Sequence, residues 1–440
     1  MIRLLTLFFC LFPLLAIAAP QVAVKSWQEE TNLTDTGKTS EILMQAKAVN
    51  LPANQAINSF SLSVDPRRNI KLIRVISDGK AAEYTFKDNS LVVKFAQPKK
   101  NLDPISIYFS YEEKYEKIFK YLRQEIIDIP AFARGADARV VIRFPGFMES
   151  ATLNPNVIKA GHGFIYSNTV PEKGVQEILK LTNSQNIWDA IIKVKVTSNN
   201  PLGTTKVTMP VYFKNGGQKI ENAVTSSSIR AQQQSTINDK QILKFDTPQK
   251  EITIENKARI ITGASNRTSI VRNPKDYTKF TPEEATLLTP FLDTIKSSKL
   301  YSKLPLHAKI GKFVHEYIKY DISYVGKLPK VNEILRNPIG VCTEYAKLYD
   351  AMARVAGIPS LIVNGVACGE YNDCRGHAWN LIYHEGKWVD VDPTWDLMSG
   401  IVSSSHVYFS DESKEDVEVE YFNDKSTINS QVDFEIKSAL

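Results

Sequence analysis

Cysteine and histidine are scarce in this chain: 440 residues contain four cysteines and six histidines. Scarcity excludes a disulfide-dense scaffold and a cysteine-rich zinc fold. Beyond the first residues no apolar run reaches the roughly eighteen needed to cross a bilayer as a helix. Internal repeats and phosphate-cradling glycine loops are absent, which removes solenoids and nucleotide-binding loops. The net charge of +6 is spread out with no basic cluster, so no nucleic-acid partner is implied.

What is present begins with a short basic start, Met1-Ile2-Arg3, an apolar stretch from Leu4 to Ile17, and Ala16-Ile17-Ala18 before Ala19-Pro20. A cleavable export signal over residues 1–18 is expected, with no stable membrane anchor after cleavage and a periplasmic or secreted location. Cys10 lies inside it, preceded by Phe9, which argues against a lipid-modified cysteine. Removal of Arg3 lowers the net charge from +6 to +5. Three cysteines then remain in an oxidising compartment, an odd number that leaves one free if two pair. Cys368 and Cys374 bracket a Gly/Asn/Asp loop between two neighbouring strands, so a disulfide is expected there, with Cys342 left over. The competing reading, a metal site from Cys368, Cys374 and His377, lacks a fourth ligand and consumes a histidine wanted elsewhere. No metal and no cofactor is therefore expected.

Some 420 mature residues exceed a single core, and several domains are expected. Alternating segments such as Lys71 to Ile76, Ala81 to Phe86 and Leu91 to Ala96, separated by turn residues, predict a meander within a β-sandwich over 19–154. Ala190 to Val196, Lys206 to Phe213, Ile242 to Phe245 and Glu251 to Glu255 predict a second β-domain over 155–275. Its Ser- and Gln-rich stretch, Thr225 to Ser228 and Gln232 to Gln234, reads as a mobile loop. Helical signals take over at Thr281-Pro282-Glu283-Glu284, a cap followed by a first-turn proline, and a third domain is placed over 276–440. His307 and His315 there read as packing or surface histidines. His162, His384 and His406 have no context that favours a site, and the acidic run from Asp411 to Asp416 lacks the order of a calcium loop.

Chemistry concentrates in the third domain. Cys342 precedes Tyr345, Leu348, Tyr349, Met352, Val355 and Ala356, an apolar face at helical spacing ended by Gly357 and Pro359. That puts its sulfur at a helix N-terminus, where unpaired N–H groups and the macrodipole favour a thiolate. Leu361 to Ala367, His377 to Tyr383 and Lys387 to Val391 predict strands, the last two joined at Glu385-Gly386. A two-residue turn there sets His384 opposite Lys387, Leu381 opposite Asp390 and Trp379 opposite Asp392. His377 then shares a face with Asp392, whereas Asp390 lies two positions further along and Asp396 falls beyond the strand. Cysteine, histidine and aspartate thus form a candidate nucleophile, base and orienting carboxylate.

Together G-x-C-x-E-Y-A, a helix ending A-G-I-P, H-A-W-N and W-V-D-V-D-P-T-W resemble the transglutaminase-like superfamily of papain-type thiol enzymes, from Ile334 to Trp395. The resemblance implies Cys342 as nucleophile, His377 as general base and acid, Asp392 as its orienting carboxylate, and a papain-like α+β core following the β-sandwich accessory domains. Asn337 is a candidate oxyanion donor beside the Cys342 backbone N–H, against a role as a turn residue before Pro338. Acyl transfer on a peptide or protein substrate is expected. Hydrolysis is favoured over protein crosslinking because water is always present and no feature excludes it. A silent binding or assembly module has no need of all three side chains.

Overall fold

Alternating apolar and polar residues dominate the chain as far as Thr262, and they fold as strands, every second residue from Ser40 to Ala48 being buried. A computed structural model describes residues 22–439, apart from 64–68, 88–89, 116–121, 152, 200–203, 214–217, 238–239, 247–249, 264–272, 300, 370–373, 401–403, 412–416 and 422–427. The expected signal with Cys10, and residues 412–416 of the acidic run, lie outside the described residues. Among the described residues no helix is long and apolar enough to cross a membrane.

The chain divides into two units. The first comprises residues 1–116, 128–143 and 163–176. Its main sheet has Val22–Leu33 antiparallel to Gly37–Ala48, which pairs in turn with Pro104–Lys114. Gly37 is required at that hairpin, since a Cβ there would stand 2.2 Å from the Glu113 carbonyl oxygen. On its other edge Val22–Leu33 runs parallel to Asp137–Arg143. The single meander expected from Lys71 to Ala96 is not formed: Ile70–Ser77 joins this sheet, while Tyr84–Lys87 and Ser90–Lys99 pair in another. The break falls at Ala82-Glu83, where the chain leaves one sheet for the other.

The second unit comprises residues 117–127, 144–162 and 177–440. Two four-stranded sheets enclose a core of Trp188, Ile192, Val194, Val207, Phe245 and Ile254. The Ser- and Gln-rich stretch is largely strand rather than loop. Lys219–Ser227 and Gln233–Ile237 are the edge strands of these sheets, where one side faces water and polar residues cost little. The C-terminal residues also depart from a 276–440 block. Ile428–Ser438 pairs along Asn186–Ser198, and Glu418–Tyr421 pairs with Thr204–Pro210, so the chain returns to the preceding sheets after Asp411.

Helices follow at Pro282–Ser297, Leu306–Tyr317, Val331–Arg336 and Cys342–Val355. The first carries the expected capping box between Thr281 and Glu284 and runs through Pro290 unbroken. A third sheet has the order Lys387–Val391, Cys374–His384, Ser360–Cys368, His406–Asp411. One of its faces packs on the helices through Ile382, Val389 and Val391. Val366, Cys368 and Val407 of the same sheet belong to the Trp188 core, so that sheet shares a core with the two β-sheets.

Trp188 is fully buried and its indole N–H donates to Thr262 Oγ1 at 2.9 Å. Trp188→Ala is expected to destabilise the second unit by about 3–5 kcal/mol. Urea unfolding followed by fluorescence and by Cys342 exposure should shift together; separate transitions would show that the two cores are independent.

Candidate active site

Gly340, Cys342 and Glu344 form one local device. Glu344 is buried, and its Oε2 accepts the Val341 backbone N–H at 2.7 Å, occupying one of the orphan donors of the helix that starts at Cys342. Gly340 makes room for it, since a Cβ there would lie 2.4 Å from Glu344 Cβ. The spacing G-x-C-x-E is therefore a packing requirement that leaves the thiol at the helix start. Gly340 is further held by pairing with Tyr320, and the Tyr345 hydroxyl donates to the Ile318 carbonyl.

The strand pair opposite has the register expected from its turn. His384 faces Lys387 and Leu381 faces Asp390, with Glu385 and Gly386 at φ of 51° and 80°, as a type I′ turn requires. Asn380 Nδ2 donates to the Ala346 carbonyl at 3.1 Å and ties the histidine strand to the cysteine helix. His377 Nε2 donates to Asp392 Oδ2 at 2.9 Å, and Cys342 packs against the cluster that contains Ala378, the next residue on the histidine strand. With Nε2 on the carboxylate, Nδ1 is the nitrogen left for sulfur. Burial opposes charge on this imidazole, but the Asp392 carboxylate, aided by Cys342, outweighs it and pushes His377 up to about 10. Asp392 is likewise opposed by burial and held below the usual carboxylate range by His377 and His406.

Three nearby aspartates divide three tasks. Asp392 Oδ1 accepts the backbone N–H groups of Thr394 at 2.8 Å and Trp395 at 3.2 Å, so it caps the D-P-T-W turn while its Oδ2 meets His377. Asp390 accepts the Trp379 indole N–H at 3.0 Å. Asp396 takes Lys312 at 2.5 Å and Lys180 at 3.6 Å. Cys368 and Cys374 stand opposite each other in the sheet and form a disulfide, which leaves Cys342 free and removes the metal reading based on them. Asn337 bonds through Nδ2 to the Tyr324 hydroxyl and ends a short helix. His307 is buried against the Met398 carbonyl, and burial followed by His384 lowers it to about 4; His315 faces the Pro393 carbonyl.

His406 is the residue the sequence did not expose. Its Nε2 lies 3.2 Å from Asp392 Oδ2, and its side chain is buried. The only signal was its place on an apolar strand after D-P-T-W, and nothing local linked that strand to Asp392. His377, Asp392 and His406 bring three donor atoms within 4.8 Å, a separation that can hold a metal ion. In this structure two of those contacts are hydrogen bonds to the carboxylate.

Residues 301–393 match the Transglutaminase-like superfamily, a segment that contains Cys342, His377 and Asp392. Kyphoscoliosis peptidase of Mus musculus is 32% identical over 121 residues, 25% of this chain and 18% of that protein. The Homo sapiens protein of the same name is 33% identical over 103 residues, 21% of this chain and 15% of its own length. The chain thus spans less than a fifth of the length of these curated relatives. Among solved structures, a candidate cysteine protease from Cytophaga hutchinsonii aligns at TM-score 0.37 with 15% identity, over 58% of this chain and 92% of that one.

Two measurements follow from the geometry. A histidine raised to about 10 from 6.5 contributes stability that is full below about 6.5 and lost as pH rises through about 10. Asp392 contributes above about 3.8 and is lost as pH falls through its depressed value. Urea midpoints compared between the wild type and His377→Gln should therefore converge as pH climbs from 6.5 to 10; a constant gap would refute the charged pair. Second, Asp392→Asn is expected to slow alkylation of Cys342 by iodoacetamide at least about 100-fold, whereas Asp390→Asn and Asp396→Asn have little effect. A damaging Asp390→Asn beside a silent Asp392→Asn would reverse the assignment.

Proposed function

We propose that the chain is an exported cysteine-nucleophile acyl-transfer enzyme that hydrolyses peptide or carboxamide bonds. The observation that carries this reading is the His377–Asp392 hydrogen bond at 2.9 Å, with the buried carboxylate behind the imidazole and Cys342 packed beside the same strand at a helix start. Cys342 Sγ attacks the carbonyl carbon, and the resulting oxyanion takes the Cys342 backbone N–H at the helix start. Nδ1 of His377 gives its proton to the leaving amine as the C–N bond breaks, and a thioester remains. His377 then accepts a proton from water, whose oxygen displaces sulfur and releases the acid. Asp392 keeps the ring in the Nε2–H tautomer throughout.

Export is supported by the basic and apolar start of the chain and by the disulfide. The matched relatives are named as peptidases, which agrees with hydrolysis over the shared segment. Crosslinking uses the same thioester with an amine in place of water. A binding module without turnover has no use for an imidazole held between a thiol and a carboxylate.

Cys342→Ala should abolish turnover with the unfolding midpoint nearly unchanged, because truncating one side chain at a helix start costs a small share of a large unit's stability. Casein and peptidoglycan-type peptides, each offered with and without a primary amine, serve as substrates, with products read by mass spectrometry. Turnover that survives in Cys342→Ala would falsify the thiol mechanism, and amide-linked products at the expense of acids would replace hydrolysis by crosslinking.

A further inference from the structure

We infer that His406 is a positioning residue of this site: a neutral second imidazole that shares the Asp392 oxygen with His377 and so limits how tightly His377 holds its proton. The inference rests on the reading of His377 as general acid and base.

Two imidazoles reach one carboxylate oxygen. Oδ2 of Asp392 lies 2.9 Å from His377 Nε2 and 3.2 Å from His406 Nε2. Asp392 has no solvent-exposed surface, so these donors take the place of water. An Nε2 that faces a carboxylate must carry the proton, which leaves His406 Nδ1 as an acceptor. The Ser405 hydroxyl stands 2.9 Å from that Nδ1 and donates to it, fixing the tautomer. Burial pushes His406 down, with Asp392 opposing, so this ring stays neutral while its neighbour is charged. Its ring meets Trp379 and Trp395 edge-on at 5.0 and 5.1 Å and His377 at 5.5 Å. Its position is set from behind: His406 pairs in register with Ala367, and the Ser405 carbonyl accepts the Cys368 N–H at 2.9 Å.

A neutral donor on a carboxylate draws charge toward itself without cancelling it. Asp392 therefore still orients and stabilises the His377 imidazolium, but more weakly than an oxygen reserved for His377 alone. The balance matters because His377 must both keep a proton beside the thiolate and release it to a leaving amine. Removing the His406 donor leaves the full charge to His377, which then holds its proton to higher pH and transfers it more slowly. The charged and titratable groups facing this cluster are Asp392, His377, Asp390, Lys180 and Tyr320, and, through His377, Cys342.

The experiment measures iodoacetamide alkylation of Cys342 against pH in the wild type, His406→Phe, His406→Gln and Ser405→Ala. His406→Phe is expected to move the alkaline limb upward by about half a unit to one unit. His406→Gln, whose amide can still donate to Oδ2, should return it toward the wild-type position. Where turnover is available, kcat should fall about tenfold in His406→Phe with KM unchanged. An unmoved alkaline limb in folded His406→Phe, judged by near-ultraviolet circular dichroism, would show that the ring only fills space and would overturn the inference. Should His406→Phe not fold, Ser405→Ala carries the test: a smaller upward shift supports the inference and no shift overturns it. Alkylation needs no substrate, so this result stands apart from whether the protein proves to be a hydrolase.

Discussion

The buried carboxylate of Asp392 is the constraint to which the site is built. Placing an unpaired charge out of water costs several kcal/mol even after relaxation, so such a group persists only when its oxygens are filled with donors. Four donors do this here: two backbone N–H groups from the turn that follows it, and two imidazole N–H groups from strands on either side of Ser360–Cys368 in sheet order. The turn donors are local and form whenever D-P-T-W folds. The imidazoles require strand order to be correct across the whole sheet, which makes the charge a check on tertiary structure as well as part of the chemistry.

Around that charge, each motif residue has a mechanical reason to be where it is. Gly340 admits Glu344, Glu344 satisfies the N–H before Cys342, and the thiol is left at a helix start with no competing side-chain cap. Trp379 and Asn380 follow His377 on its strand and face different partners, the indole bonding Asp390 and the amide bonding the cysteine helix. H-A-W-N thus fixes the strand both to its neighbour and to the helix, which sets the distance at which imidazole meets sulfur.

Much of this was legible in the sequence because it is local. The helix face after Cys342, the Thr281 capping box and the Glu385-Gly386 turn depend on residues within a few positions, and the turn alone determines which aspartate lies near His377. What stayed hidden depends on pairings between distant segments. His406 meets Asp392 only because His406–Asp411 adds to the sheet beside Ser360–Cys368. Ile428–Ser438 returns to Asn186–Ser198 across more than two hundred positions, a pairing that no periodicity announces. The Ser- and Gln-rich strands depart from the expected loop for a related reason: at a sheet edge polar composition is tolerated, so composition stops reporting on structure.

A free thiol and a disulfide must coexist within one sheet-and-helix assembly, and position separates them. Cys368 is fully buried in the core shared with the β-sheets, and it lies directly opposite Cys374 across two hydrogen-bonded strands. Cys342 opens a helix, whereas the bridge joins two paired strands, so the free thiol and the disulfide sit on different elements. The bridge closes the end of the strand pair three positions before His377, while the Cys368 N–H holds Ser405 next to His406. The covalent link thereby braces the His377 strand to the strand beside it, hydrogen bonds from that strand hold the His406 strand, and Cys342 stays a free thiol.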